Sequence, residues 1–315
     1  MRWVLRLLSF ALIGAAGWVL WKELGTLSWR DVAAAARAWG PAPLLLAIAM
    51  CAASFAILTL TEWAAARSLA LRVPRLELTL TSICANALAH SIGFAVLVAG
   101  AVRLRRYAAW GASPAAVAAQ SVYAAVSYTL GLAALAGMGL LAHPDLHAPG
   151  LTLAPAATRL AGGLLLLAGP AYVGLCVLSR RGFQLGKRRL ALPSPGHAAL
   201  QLFLGVANNV ALALIIWALL PQTAVSAALI ATAFAAAVAV ALLSGAPGGV
   251  GVFEGAMLAL LPEAPAGQLA AALLGYRVIY FLLPLLIALP LLALRGPPPG
   301  RHAAPQHEAG HRGSF

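Results

Sequence analysis

"LTLTSICANALAHSIGFAVLVAGAVRLRRY", residues 78–107, is apolar enough to enter a membrane, yet it is punctuated by Gly93 and Gly100 and closes on Arg103, Arg105 and Arg106. Whether it crosses or turns back decides on which side every later segment lies. Of the 315 residues around it, 62% are hydrophobic and 9% charged, far from the quarter or so of charged residues in soluble domains. Runs at roughly 4–21, 41–63, 115–142, 160–179, 199–220 and 224–243 approach the ~20 apolar residues that a spanning helix needs. A last region, 246–294, is interrupted by Pro247-Gly248-Gly249. The expected fold is an all-α, polytopic integral membrane helix bundle.

With a cytoplasmic N-terminus, a crossing at 78–102 would put Arg103, Arg105, Arg106 and the later group Arg180, Arg181, Lys187, Arg188 and Arg189 outside, against the positive-inside rule. A segment that dips in and returns instead places both groups with Arg2, Arg6, Arg67, Arg72 and Arg75 on the cytoplasmic side. If 246–262 completes one crossing and 266–294 makes the last, the C-terminus is cytoplasmic as well. This predicts about eight crossings plus a re-entrant hairpin, with broken helices near residues 93–100 and 245–251. The first run reads as an uncleaved anchor ending at Trp18 and Trp21. Residues 1–294 form the transmembrane domain, and 295–315, opening Arg-Gly-Pro-Pro-Pro-Gly, are expected to be a disordered cytoplasmic tail.

The net charge of +13 resides largely in short loops, where it reports topology and contact with anionic lipid, so no nucleic-acid partner is expected. Cys51, Cys84 and Cys176 lie singly in apolar runs and read as core residues. His143-Pro144-Asp145-Leu146-His147 and the tail histidines lack a full ligand set, so neither a metal nor another cofactor is expected.

Polar side chains at membrane depth face the bundle interior or a water-filled cavity. Ser82, Asn86 and His90 share one helix face, and Arg103, Arg106 and Tyr107 share another. Two readings stand: hydrogen bonds to neighbouring helices with arginines anchoring the cytoplasmic end, or a cavity lining whose arginines attract lipid phosphates. Gln120, Tyr123, Ser127 and Gly131 form a further stripe, and Asn208-Asn209 a mid-helix pair.

With Gly251 as N-cap, Glu254 falls at the third helical position, where a carboxylate can accept from the cap's amide. An acidic residue at bilayer centre costs about 3 kcal/mol, and the helix dipole returns typically less than about 1. A partner is therefore expected, and Arg277 is the basic residue that this topology leaves inside the membrane. It shares a face with Leu273, Tyr280 and Pro284, and Pro284 leaves the Tyr280 carbonyl without its helical donor.

"NALAHSIGFAVLVAGAVRLRRYAAWGAS" (86–113), "SGAPGGVGVFEGAMLALLP" (244–262) and "GYRVIYFLLP" (275–284) resemble the signature blocks of the lysylphosphatidylglycerol synthase transmembrane-region family, the membrane module of the bacterial multiple peptide resistance factor. The resemblance runs over most of residues 1–294. It implies a flippase-like membrane module in the bacterial cytoplasmic (inner) membrane, handling phospholipids or related anionic and aminoacylated lipids. Asn86, His90, Arg103, Tyr107, Gly248, Gly249, Glu254 and Arg277 occupy the motif positions; with Arg106 and Tyr280 they form the expected substrate-binding set. The synthase domain of two-part relatives is not found in this sequence, so aminoacyl transfer is not expected and the chain is read as a non-enzyme. Two alternatives stand beside translocation: a non-catalytic membrane subunit recruiting a separate lipid-modifying enzyme through its basic loop at 180–195, and a membrane-embedded transferase. The second is disfavoured because Glu254 and His90 offer no paired acids.

Overall fold

The computed structural model describes residues 39–92, 95–144, 154–179, 183–185, 188–190, 192–220, 225–244, 249 and 251–294, with positions 30, 34 and 37. The expected first helix, Gly93, Gly248 and the tail lie outside the described residues. In chain order the helices are α1 (Pro41–Ser68), α2 (Arg75–Ile92), α3 (Ala95–Tyr107), α4 (Pro114–Ala142), α5 (Pro155–Leu178), α6 (Pro195–Leu219), α7 (Ala227–Ser244), α8 (Val252–Leu260), α9 (Ala266–Tyr276) and α10 (Leu283–Leu294). A wide π-helical turn, Arg277–Leu282, joins α9 to α10. Between α5 and α6, β1 (Phe183–Leu185) pairs antiparallel with β2 (Arg188–Leu190), a small hairpin that the all-helical expectation did not contain.

The helix starts are written locally. Pro41, Pro114, Pro155 and Pro195 each open a helix, where the missing N–H costs nothing and φ is preset. Ser113 and Ser194 cap two of them, accepting from the amides of Ala116 and His197 at 3.2 and 3.4 Å. α1, α4, α5, α6 and the joined run Ala266–Leu294 are long and apolar enough to cross a membrane; α7 is a shorter apolar helix. Leucines such as Leu45, Leu160 and Leu164 stand exposed along them, as lipid-facing positions would.

The stretch at 78–107 turns back. Glu77 in the first turn of α2 pairs with Arg106 in the last turn of α3, so the two arms run antiparallel and end where they began. Their 18 and 13 residues fall short of the roughly 20 needed for a crossing. The break is single, after Ile92, and not the double one expected: α3 runs uninterrupted through Gly100, where an added Cβ would meet the Ser121 hydroxyl at an ordinary contact distance of 3.5 Å. The chain folds back a second time after α7. Gly249 sits against Ala241, and the Phe253 ring lies 5.8 Å from that of Phe234, so α8 returns along α7.

The polar stripe of α4 is glue to α6. Ser127 Oγ donates to the Gln201 carbonyl at 2.7 Å, Gln201 Nε2 donates to the Tyr123 carbonyl at 2.8 Å, and Tyr123 Oη donates to the His197 carbonyl at 3.1 Å. These bonds hold the two backbones so close that a Cβ on Gly205 would lie 1.9 Å from the Ser127 carbonyl oxygen, and one on Gly131 2.1 Å from the Gly205 carbonyl carbon. Small residues at such crossings permit the van der Waals contact that associates helices in lipid.

Replacing Gly205 by valine forces these helices apart and should destabilise the fold by on the order of 3 kcal/mol. Gly163→Ala, at a position with nothing within 4 Å of an added Cβ, should leave stability unchanged within about 0.5 kcal/mol. Apparent melting temperatures in detergent, followed by size-exclusion recovery after heating, compare the two.

Candidate functional site

Both folded-back elements open onto one cavity of about 520 Å³ inside the bundle. The α2–α3 hairpin contributes Asn86, His90 and Arg103; α8 and the wide turn contribute Glu254, Arg277 and Tyr280; α4 and α6 close it with residues such as Ser127 and Asn208.

The start of α8 is shaped for a carboxylate. Gly249 and Gly251 have φ of +65° and +79°, a conformation that side chains with a Cβ rarely adopt. That turn aims the start of α8 at the cavity and leaves the Gly251 amide pointing at Glu254, whose Oε2 accepts from it at 2.7 Å. The other oxygen, Oε1, accepts from Arg277 Nε at 2.6 Å and lies 2.5 Å from Nη2. The expected cap and the expected ion pair therefore exist together, one on each carboxylate oxygen. The Arg277 guanidinium also lies 5.6 Å from the centre of the Phe281 ring. The Arg277 and Glu254 side chains remain 10% and 24% accessible, so the pair faces the cavity.

Arg277 opens the π-helical turn that ends just before Pro284's helix, consistent with the donor missing at proline. The widened backbone is answered from outside: Cys51 Sγ donates to the Ile279 carbonyl at 3.3 Å, and Ser91 Oγ to the Phe281 carbonyl at 3.5 Å. Tyr280 stacks on Tyr276 at 5.5 Å and on His90 at 5.0 Å. His90 Nδ1 is buried without a hydrogen-bond partner, whereas Asn86 bonds within its own helix, to the Ser82 carbonyl at 2.8 Å.

A second ion pair, which the sequence reading did not anticipate, sits at the arginine-rich end of the same cavity. Glu62 is 1% exposed and Arg103 2%. Arg103 Nε and Nη2 grip the two Glu62 oxygens at 2.8 and 2.7 Å in a bidentate fork. Tyr107 Oη and Gln120 Nε2 add bonds to Oε1 at 2.7 and 2.9 Å, while Arg103 Nη1 reaches Ser121 Oγ at 3.2 Å. Arg103 is thus committed to a buried carboxylate and Arg106 to Glu77, which removes the picture of both as guanidinium groups held out for lipid phosphate. Arg106 and Tyr107 are also not among the residues lining the cavity, whereas Asn86, His90, Arg103, Gly249, Glu254, Arg277 and Tyr280 are. The signal for Glu62 was present: it is one of eight acidic residues and falls inside the apolar run 41–63. Ser54 was likewise missed; its Oγ donates to Asn208 Oδ1 at 2.7 Å.

Comparison with known proteins agrees with this architecture. The lysylphosphatidylglycerol synthase TM region matches residues 6–288. Among relatives, the uncharacterized protein slr0712 of Synechocystis sp. is 28% identical over 274 residues, 84% of this chain and 82% of its own length. The inner membrane protein YbhN of Escherichia coli is 32% identical over 134 residues, 42% of each chain.

Removing the Glu62 carboxylate by Glu62→Ala strands a buried guanidinium and should cost about 3–5 kcal/mol, whereas the paired apolar replacement Glu62→Leu with Arg103→Met should recover most of it. Apparent melting temperatures of the single and double variants in detergent give the coupling; a double variant no more stable than Glu62→Ala would contradict it.

Proposed function

This chain belongs to the family of the lysylphosphatidylglycerol synthase TM region, and from that premise we propose that it is a multi-pass membrane protein that translocates lipids, carrying the headgroup through the cavity while the acyl chains stay in the bilayer. The observation that supports this most is the placement of the Glu254–Arg277 pair: two charges, partly accessible, on the wall of a cavity bounded by two folded-back helical elements. The Glu62–Arg103 pair on the same wall is almost without accessible surface, whereas this one keeps some. A pair left facing a cavity is positioned to meet a polar ligand.

In this reading the two breaks are the working parts. Interrupted helices expose backbone groups where they line a cavity, a construction that recurs in transporters. The α2–α3 hairpin is fastened at its arginine-rich end by Arg103 and Arg106, and its far end meets the wide turn through the His90–Tyr280 stack. Loosening that stack would change access to the cavity without breaking either fastening. We place the arginine-rich end, with Arg67, Arg72, Arg75 and Arg105, on the cytoplasmic side by the positive-inside rule, in the inner membrane and with both termini cytoplasmic. The proposed partners are membrane phospholipids, and the protein acts on them without a catalytic step.

Reconstituted into liposomes containing phospholipids with fluorescent acyl chains and different headgroups, the wild type should speed equilibration between leaflets, read by dithionite quenching. Glu254→Gln and Arg277→Ala should reduce the rate at least about tenfold, a loss of 1.4 kcal/mol or more in barrier lowering, while eluting as folded protein. A folded wild type that accelerates no lipid would overturn the reading.

A further inference from the structure

Among the described residues lining the cavity, carboxylates and guanidinium groups are matched one to one. Glu62 is opposed by Arg103 and Glu254 by Arg277, and both pairs line the wall. Of the other polar lining named above, Asn86, Ser127, Asn208 and Tyr280 are amides and hydroxyls, and His90 is an imidazole. A cavity built to hold a lone anion would carry surplus guanidinium, and one built for a lone cation surplus carboxylate. Among the described residues neither surplus stands on this wall.

The two pairs differ in what they can give up. Glu62 has both oxygens occupied by Arg103, with Tyr107 and Gln120 added, and is sealed from the cavity contents. Among the described residues, Glu254 Oε1 accepts from Arg277, while Oε2 rests on the Gly251 amide. If Arg277 turns away, that amide and the α8 N-terminus still support the carboxylate, so the exchangeable bond is the one at Oε1.

Resting on the lipid-translocating function proposed above, we infer that the cavity selects net-neutral, zwitterionic headgroups that carry one phosphate and one ammonium, by exchanging the Glu254–Arg277 pair for two ligand pairs. The ligand phosphate takes the Arg277 fork, which suits two phosphate oxygens, and the ligand ammonium takes Glu254 Oε1. Two ion pairs replace one, and no charge is left alone. A monoanionic headgroup that takes Arg277 brings Glu254 no replacement cation, so the carboxylate keeps its amide support and loses its Coulombic partner. The unpartnered His90 Nδ1, on the stack beside Tyr280, adds a polar atom for the ligand's ester or glycerol oxygens to meet when the stack shifts.

Equilibrium dialysis of the full-length protein in detergent, with radiolabelled dihexanoyl-phosphatidylethanolamine and dihexanoyl-phosphatidylglycerol as probes, tests this. The wild type should hold the phosphatidylethanolamine at least about tenfold more tightly. Glu254→Gln, which leaves Arg277 to a phosphate and gives the ammonium no carboxylate, should erase or reverse that preference. Wild-type binding that favours phosphatidylglycerol, or treats the two alike, overturns the inference and leaves lipid handling standing. Failure to bind either probe counts against both. An unchanged preference in folded Glu254→Gln removes the selectivity from this pair. The wild-type ratio needs no variant, and competition by glycerophosphoethanolamine against glycerophosphoglycerol, whose phosphates are singly charged diesters as in the lipids, repeats it without acyl chains, where the same order of affinity is expected.

Discussion

A charge inside an apolar bundle has to find its opposite within reach, and three carboxylate–guanidinium contacts show how this chain meets that requirement. Glu62–Arg103 ties α3 to α1, Glu77–Arg106 ties α3 to α2, and Glu254–Arg277 ties α8 to the turn after α9. Each joins a folded-back arm to another element. The arms need this because they are short. Helices of 13 and 9 residues bury less apolar surface than a full span, and lipid supplies no hydrophobic drive to press them against their neighbours. In water such pairs would add little stability. Here the alternative is an unpaired ion among apolar side chains, so each pair also dictates which partners the arm has.

The cavity follows from where helices are allowed to approach. α4 and α6 cross at backbone contact through Gly131 and Gly205, with Ser127 and Gln201 binding carbonyls on either side. That crossing draws two long helices together along one line. The hairpin arms, too short to fill the remaining width, leave the interior space between their breaks. Polar residues collect on its wall because that is where an unpaired amide or ring nitrogen is tolerated. The π-helical turn adds to it, turning Arg277 and Tyr280 toward the opening while Cys51 and Ser91 take up two of its carbonyls.

Much of this was legible in the sequence, for reasons that can be assigned. Arginine distribution along the chain implied that 78–107 returns to its starting side, and the Glu77–Arg106 contact has that geometry. Glu254 implied Arg277 because the helix dipole alone could not offset the burial of a carboxylate, and one basic residue was left to answer it. The reading failed where one residue type had two explanations. Gly100 looked like a second break because glycine is a weak helix former, but the helix passes straight through it, in ordinary contact with Ser121. Arg103 and Arg106 read as headgroup anchors because arginines near a helix end commonly are. What they bind was hidden in α1 and α2, far away in sequence. Glu62 lay inside a run scored by its overall apolarity, which masks a single acid. Pairing each acid in an apolar run with a basic residue would have exposed it, as it did for Glu254.

The contrast between Glu62 and Glu254 bears on the proposed function without any appeal to kinship. Both are carboxylates bonded to an arginine, both border the same cavity, and both belong to elements around a hairpin. Glu62 accepts from four side-chain nitrogens and oxygens and has almost no accessible surface; displacing any one donor gains a ligand nothing, because the others remain in place. Glu254 divides its two oxygens between a fixed backbone amide and a side chain that can rotate, and about a quarter of it is accessible. The first arrangement has one low-energy state. The second divides its support between a backbone amide and a partly accessible side-chain partner, the arrangement on which the proposed lipid site rests.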